Sequence, residues 1–360
     1  MSRLLVAAAL AAVALASSGC WTTRYLLQQG VGQFRLLHDR QRVRDVLADP
    51  ATDPETGRRL ALAQSAREFG VEVLGLRGGD NYTRFYDTHG KALAWNLSAA
   101  PKDALKPLVW RFPITGAVPY LGFFREEDAR RQAASLRARG YDVYVREVAG
   151  YSTLGITSDP IYSSMLEGPP ERIVEVVLHE MLHGTLWIPG RSDFNESLAT
   201  FVGLQGAALY FMMAGRGGAA ARKVLESADR RRKSEAAFRA YLKPFLAELE
   251  ALYKSPITRD EKIARREAIF ARAKAELLRR FPQRPGRPPP AFLNEEGGGL
   301  NNAVFAAFAV YHKGTSDHDH IFQKVGRDLR RFVEVYKTAV ERDDPLGYLR
   351  ARFPVKRSLP

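Results

Sequence analysis

The segment Val177-Leu-His-Glu-Met-Leu-His183 sets two histidines four residues apart, and Glu196 follows in Asp193-Phe-Asn-Glu-Ser197. An α-helix repeats every 3.6 residues, so His179 and His183 stand one above the other on a single helical face. Two imidazoles placed this way can hold one Zn2+ per chain, and Glu180 lies beside them, able to take a proton from water. The alternative is a pair of hydrogen-bonded core histidines with Glu180 as a surface carboxylate. Against it, three polar residues with no shared role would burden a helix that is otherwise apolar.

The flanks give that helix a start and a stop. Pro169 and Pro170 suit a first turn, where a backbone N–H has no helical partner anyway, and Glu171 complements the helix dipole. Ile173, Val174, Val176, Val177 and Leu178 are apolar on nearly every side, so a buried helix is expected from about Glu171 to Trp187, ending at Pro189-Gly190. A second helix is expected from near Phe194, carrying Leu198, Ala199, Val202 and Leu204.

Catalytic zinc needs three protein ligands and an open position, so two histidines do not suffice. Glu196 and Asp193 are the carboxylates within reach. Asp193-x-x-Glu196 also has the form of a capping box, which would spend Glu196 on backbone donors. Catalytic sites built from two His and one Glu favour Glu196 over Asp193.

The 360-residue chain is 46% hydrophobic and 26% charged, which excludes disorder as its dominant state and allows one large domain or two modest ones. Its net charge of +14 fits either a nucleic-acid binder or an envelope protein lying against anionic lipid or polymer. No nucleic-acid-binding motif accompanies the charge, so no nucleic-acid partner is expected.

The single cysteine, Cys20, excludes an intrachain disulfide. Before it, Met1-Ser-Arg3 is a short positive start, Leu4 to Ala16 an apolar run, and Ser17-Ser-Gly19 a small-residue patch. The run covers about 20 Å as a helix, short of a bilayer core of about 30 Å, so residues 1–19 read as a signal peptide rather than an anchor. Cleavage before a lipid-modified Cys20 resembles the bacterial lipoprotein pattern, with Ser17 where leucine is usual. An ordinary signal with an incidental cysteine is the alternative. Trp21, rather than Asp, after Cys20 implies the periplasmic face of the outer membrane by resemblance to enterobacterial sorting.

Residues 20–56 are expected to form a membrane-proximal tail and 57–165 an α/β region. There, a helix from about Gly57 to Leu76 follows Asp53-Pro-Glu55. Short aromatic strands come next (Ala92–Leu97, Pro107–Phe112, Ala117–Phe124), then a charged helix (Glu126–Arg139) ended by Gly140, and a strand over Tyr141–Arg146. Residues 166–360 are expected to be the helical zinc region. Within it, 222–281 is a basic pair of antiparallel helices hinged at Tyr253–Thr258, whose runs Arg230-Arg-Arg-Lys233 and Arg265-Arg266 read as solvated faces. Further helices are expected around Ala303–Tyr311 and Ile321–Tyr336. The fold class is therefore α+β, predominantly helical, with a small N-terminal mixed sheet and a zincin-like catalytic region.

The pair His179-Glu-x-x-His183 with Asn195-Glu196 resembles the gluzincin clan of zinc peptidases. Nearly the whole chain is similar to a bacterial family of lipoprotein aminopeptidases. The matching pieces are Gly19-Cys20 with Tyr25-Leu26, Trp95-Asn96, Tyr151-Ser-Thr-Leu-Gly155 with Asp159-Pro160, Phe194-Asn-Glu-Ser197 with Thr200, and Leu300-Asn-Asn-Ala303. The resemblance implies peptide hydrolysis, with His179, His183 and Glu196 as ligands and Glu180 as general base. Thr200 stands where gluzincins have an Asp that orients the first histidine. By the same analogy Tyr311 or Tyr151 would donate to the oxyanion, though each also reads as an ordinary core tyrosine.

Asp317-His-Asp-His320 has metal-ligand residue types, but alternate spacing brings two side chains together only on a strand. Lys313-Gly-Thr-Ser316 before it points to a solvated loop. A different class of function, an envelope scaffold that keeps the fold without catalysis, is motivated by the basic helical pair. The sequence leaves the oligomeric state open.

Overall fold

A computed structural model describes residues 20–112, 116–148, 158–214, 217–281, 299–311 and 316–354. The chain divides into two compact units, Met1–Gln41 and Arg42–Pro360. The described part of the first is helix α1 (Cys20–Asp39), on which Phe34 is exposed and stacks on His38. Residues read as a tail are thus largely helical. Among the described residues no helix is long and apolar enough to cross a membrane.

The second unit is α+β and predominantly helical. After α2 (Val43–Ala48) comes α3 (Pro54–Glu72), which starts where the sequence placed it: Asp53 accepts from the Thr56 amide at 2.8 Å and Pro54 fills the first turn. Strand β1 (Arg84–Tyr86) pairs in parallel with the short β7 (Ile161–Tyr162), Phe85 facing Ile161. Between them in sequence lies an antiparallel three-stranded sheet. Its central strand β2 (Ala94–Pro101) is flanked by β5 (Leu121–Phe123) and β6 (Tyr141–Val148), with Leu97 opposite both Leu121 and Val145. A hairpin of β3 (Trp110–Phe112) and β4 (Gly116–Val118) stands apart.

Helix α4 (Glu126–Ala138) covers the sheet through Ala129, Ala133 and Leu136, all essentially inaccessible. Its three acidic residues in the first turn complement the dipole. Gly140 ends it at φ +81°, a left-handed position that glycine occupies without a Cβ penalty.

Helices dominate the remainder: α5 (Pro170–Thr185), α6 (Ser192–Met213), α7 (Gly217–Lys254), α8 (Arg259–Arg280), α9 (Asn302–Tyr311), α10 (Ser316–Lys324), α11 (Leu329–Val340) and α12 (Pro345–Arg352). The expected antiparallel pair is α7 and α8. Tyr241 donates to the Ala273 carbonyl at 2.8 Å, and Thr258 and Glu261 form a reciprocal capping box at the turn. Tyr241, Leu242, Phe270 and Leu277 of this pair enclose a core with Val304 and Phe305 of α9.

Two expectations about charge fail here. Arg266 is not on a solvated face: it is 4% exposed and makes two bonds, 2.6 and 3.1 Å, to buried Asp142 of β6. The same Asp142 accepts from the Asn302 amide at 3.0 Å, so one carboxylate joins sheet, α8 and α9. Arg231, in the other basic run, is bidentate to buried Glu175 of α5 at 2.8 and 2.9 Å. Both carboxylates sit on elements distant in sequence, which is why local charge patterning did not reveal them.

Candidate metal centre

Helix α5 forms where its sequence predicts, with Pro170 in the first turn and His183 in the last. It stops at Thr185, two residues early, because Leu186 turns extended at φ −137°. Ile173, Val174, Val177, Leu178, Met181 and Leu182 are at most 1% exposed, so α5 is buried on most of its circumference. The open remainder carries His179 and Glu180, half-buried, with His183 beneath them.

Helix α6 lies against α5 at unusually short range. A Cβ on Gly203 would come within 2.8 Å of the Glu175 carbonyl and 3.3 Å of the His179 Cβ, and one on Gly206 within 2.7 Å of Leu178. Larger residues would push the helices apart at the level of His179. The connection between them is closed by Asn195. Its side chain accepts from the Ile188 amide at 3.0 Å and donates to the Ile188 carbonyl at 2.8 Å. The helix begins at Ser192 with Arg191 as its cap and no side-chain capping bond. The Asp193 side chain, on which the capping-box alternative rests, lies outside the described residues, and Glu196 faces α5.

There Glu196 meets both histidines. Its two carboxylate oxygens lie 3.6 Å from His179 Nε2 and 3.6 Å from His183 Nε2, and the two Nε2 atoms are 3.2 Å apart. The imidazole planes cross at 86°. The three ligand atoms lie within 4.8 Å of one another, a group that could hold a metal ion. Donors about 2.0–2.1 Å from a tetrahedral ion stand about 3.3–3.4 Å apart, so these spacings and this donor set fit zinc.

The electrostatics match. Burial opposes a charge on Glu196, but the two imidazoles outweigh it and hold the carboxyl well below the usual carboxylate range. Burial likewise opposes protonation of His183, and the Glu196 and Glu180 carboxylates more than offset it, raising its pKa. Without a cation, the two carboxylates thus draw positive charge to the His183 imidazole.

One neighbour had no sequence signal. Tyr82 is buried and holds a left-handed backbone at φ +60°, rare for a bulky residue. Its amide donates to the Asp159 carbonyl at 2.7 Å, while the Asn81 side chain accepts from the Asp159 amide at 2.9 Å. Burial pushes the Tyr82 hydroxyl far up, and the Glu180 charge adds to the effect.

Of the other candidate residues, Tyr151 lies outside the described residues. Tyr311 closes α9, and Cys20 opens α1, but their side chains also lie outside the described set. The Asp317–His320 cluster is not a solvated loop. It lies in α10, where His318 is 2% exposed and bonded through both ring nitrogens. Helical spacing separates His318 from His320, as the alternating pattern requires.

The fold and the site define a predominantly helical α+β protein with a His/His/Glu group compatible with a metal. A family model matches residues 24–344, nearly the whole chain, and the chain belongs to that family, described as "Putative aminopeptidase". No curated protein and no solved structure matches the chain.

Proposed function

We propose that the protein is a zinc-dependent peptidase, acting as an aminopeptidase of gluzincin type. The observation that carries this reading is the convergence of His179, His183 and Glu196 at tetrahedral donor spacing. These three residues would hold the ion. Zinc there supplies Lewis acidity, polarising a carbonyl oxygen and making water acidic near neutral pH.

The remaining steps belong to the chain. Glu180 follows His179 directly on α5 and is half-buried at the open side of the helix. It accepts the proton of the attacking water as the C–O bond forms and then gives it to the amine nitrogen, whereupon the peptide C–N bond breaks. The close α5–α6 contact at Gly203 and the Asn195 clamp keep Glu196 in register with the histidines.

The same reading places the enzyme in the cell envelope of a bacterium, tethered by lipid on Cys20 and facing the periplasm from the outer membrane. The apolar run Leu4 to Ala16 followed by Ser17-Ser-Gly-Cys20 supports this. Its partners are then a peptide substrate and the membrane.

The test is hydrolysis of paired peptides with free and acetylated N-termini by the zinc-loaded protein and its Glu180→Gln variant. Cleavage of free N-termini alone, abolished in Glu180→Gln with zinc retained, is the expected result. Cleavage unaffected by Glu180→Gln would overturn the role of Glu180, and equal cleavage of both peptides would overturn exopeptidase action. An inactive parent that binds zinc would favour the scaffold reading.

A further inference from the structure

The Asp317-His-Asp-His320 cluster carries chemistry that the reaction above does not use. Within it, His318 is buried and has a partner on each nitrogen: Ser197 Oγ lies 3.0 Å from Nε2, and the Tyr336 hydroxyl 2.7 Å from Nδ1. Ser197 follows Glu196 directly on α6, whereas His318 belongs to α10 and Tyr336 to α11.

The directions of these bonds can be assigned. A serine hydroxyl has one proton, and that of Ser197 goes to the Phe194 carbonyl at 2.9 Å. Its oxygen then accepts from His318, and in this assignment Nε2 carries a hydrogen. Phe194, Phe201 and Phe332 surround the imidazole at ring separations of 5.5 to 6.4 Å, and in the neutral Nε2–H ring the second nitrogen is an acceptor. In that form Nδ1 accepts from the Tyr336 hydroxyl. A directed chain results, from Tyr336 to His318 to Ser197 to the backbone carbonyl of Phe194.

The chain ends on the first turns of α6, on both sides of Glu196. The cap residue of that helix, Arg191, makes no side-chain capping bond. Its lateral fixation comes from the Asn195 clamp on one side and from His318 on the other. We infer that His318 is a positioning residue for the metal centre: through Ser197 it fixes the rotation of the α6 start, and thereby the direction in which Glu196 faces the two histidines. The inference rests on Glu196 being the third ligand.

Two measurements on the purified full chain test it. The first is Zn2+ affinity by competition with a chelating dye, alongside thermal unfolding. His318→Phe keeps the ring's bulk and removes both bonds. It is expected to weaken zinc binding by about tenfold, the low end for a residue that orients a ligand. His318→Gln, whose amide offers one donor and one acceptor, is expected to restore most of that loss. Val333→Ala, which opens a cavity in α11 and touches none of these bonds, is expected to lower Tm and leave zinc affinity unchanged. Val333 is fully buried, so its truncation is a fair control for a purely structural effect. A His318→Phe protein that loses Tm but binds zinc like the parent would overturn the inference.

The second measurement needs no variant to fold. In the metal-free parent, 15N spectra of the histidine rings should show His318 as the Nε2–H tautomer. An Nδ1–H ring would overturn the chain of bonds. Glu196→Gln separates the two ideas. If it binds zinc like the parent, the ligand assignment fails, while the tautomer of His318 still reports on the chain.

Discussion

Helices α5 and α6 and helices α7 and α8 are both antiparallel-packed helical regions, yet polar residues play different parts in them. The first pair meets through apolar side chains and glycines, with Gly203 and Gly206 letting backbones approach. The second is charge-dense outside and is tied to the rest of the molecule by two ion pairs to buried carboxylates, Arg231 with Glu175 and Arg266 with Asp142. In the apolar pair a few polar residues stand out and mark the site. In the charged pair the two arginines that matter are indistinguishable in sequence from their solvated neighbours.

The comparison can be broken most sharply at Arg266. Arg266→Ala leaves Asp142 buried without its counter-charge, a loss of about 3–5 kcal/mol in denaturant unfolding. The adjacent, exposed Arg265→Ala should change stability by no more than about 0.5 kcal/mol. Equal effects at both positions would show that the ion pair is not what anchors α8.

A smaller effect is expected in the apolar pair. Gly203→Ala inserts a methyl group against the Glu175 backbone and should cost about 1–3 kcal/mol by overpacking. Because the strain falls beside His179, zinc affinity should fall with it. Unchanged affinity alongside reduced stability would separate helix packing from ligand geometry.

The smallest belongs to Arg231→Ala. Glu175 keeps Arg172 at 3.1 Å, and Arg231 is one-third exposed, so solvent and the second arginine compensate in part. A loss of about 1 kcal/mol is expected, read from urea midpoints. A loss as large as that of Arg266→Ala would mean that burial does not set the difference between the two pairs.

What was legible in the sequence follows the same division. His179 and His183 could be read because helical periodicity and zinc chemistry each constrain their spacing, Glu196 because zinc needs a third ligand and the chain resembles the gluzincins, and the structure brings the three together. The starts of α3 and α5, the turn between α7 and α8 and the end of α4 were legible because caps, prolines and Gly140 act locally. Helix α1 was missed because its apolar residues follow a signal-like segment and lack a clear stripe. The partners of Arg231 and Arg266, and the Ser197 partner of His318, were missed because each of these pairings spans more than fifty residues of chain. Tyr82 was missed because left-handed backbone at a tyrosine follows from its tertiary surroundings, not from its neighbours in sequence.

The central claim is that His179, His183 and Glu196 together hold one zinc ion. Metal content per chain after dialysis against trace zinc, measured for the parent, His183→Ala and Glu196→Gln, tests it most directly. One zinc per parent chain, almost none in His183→Ala and a clear reduction in Glu196→Gln are the expected results. Zinc bound equally by all three, or absent from the folded parent, would contradict it.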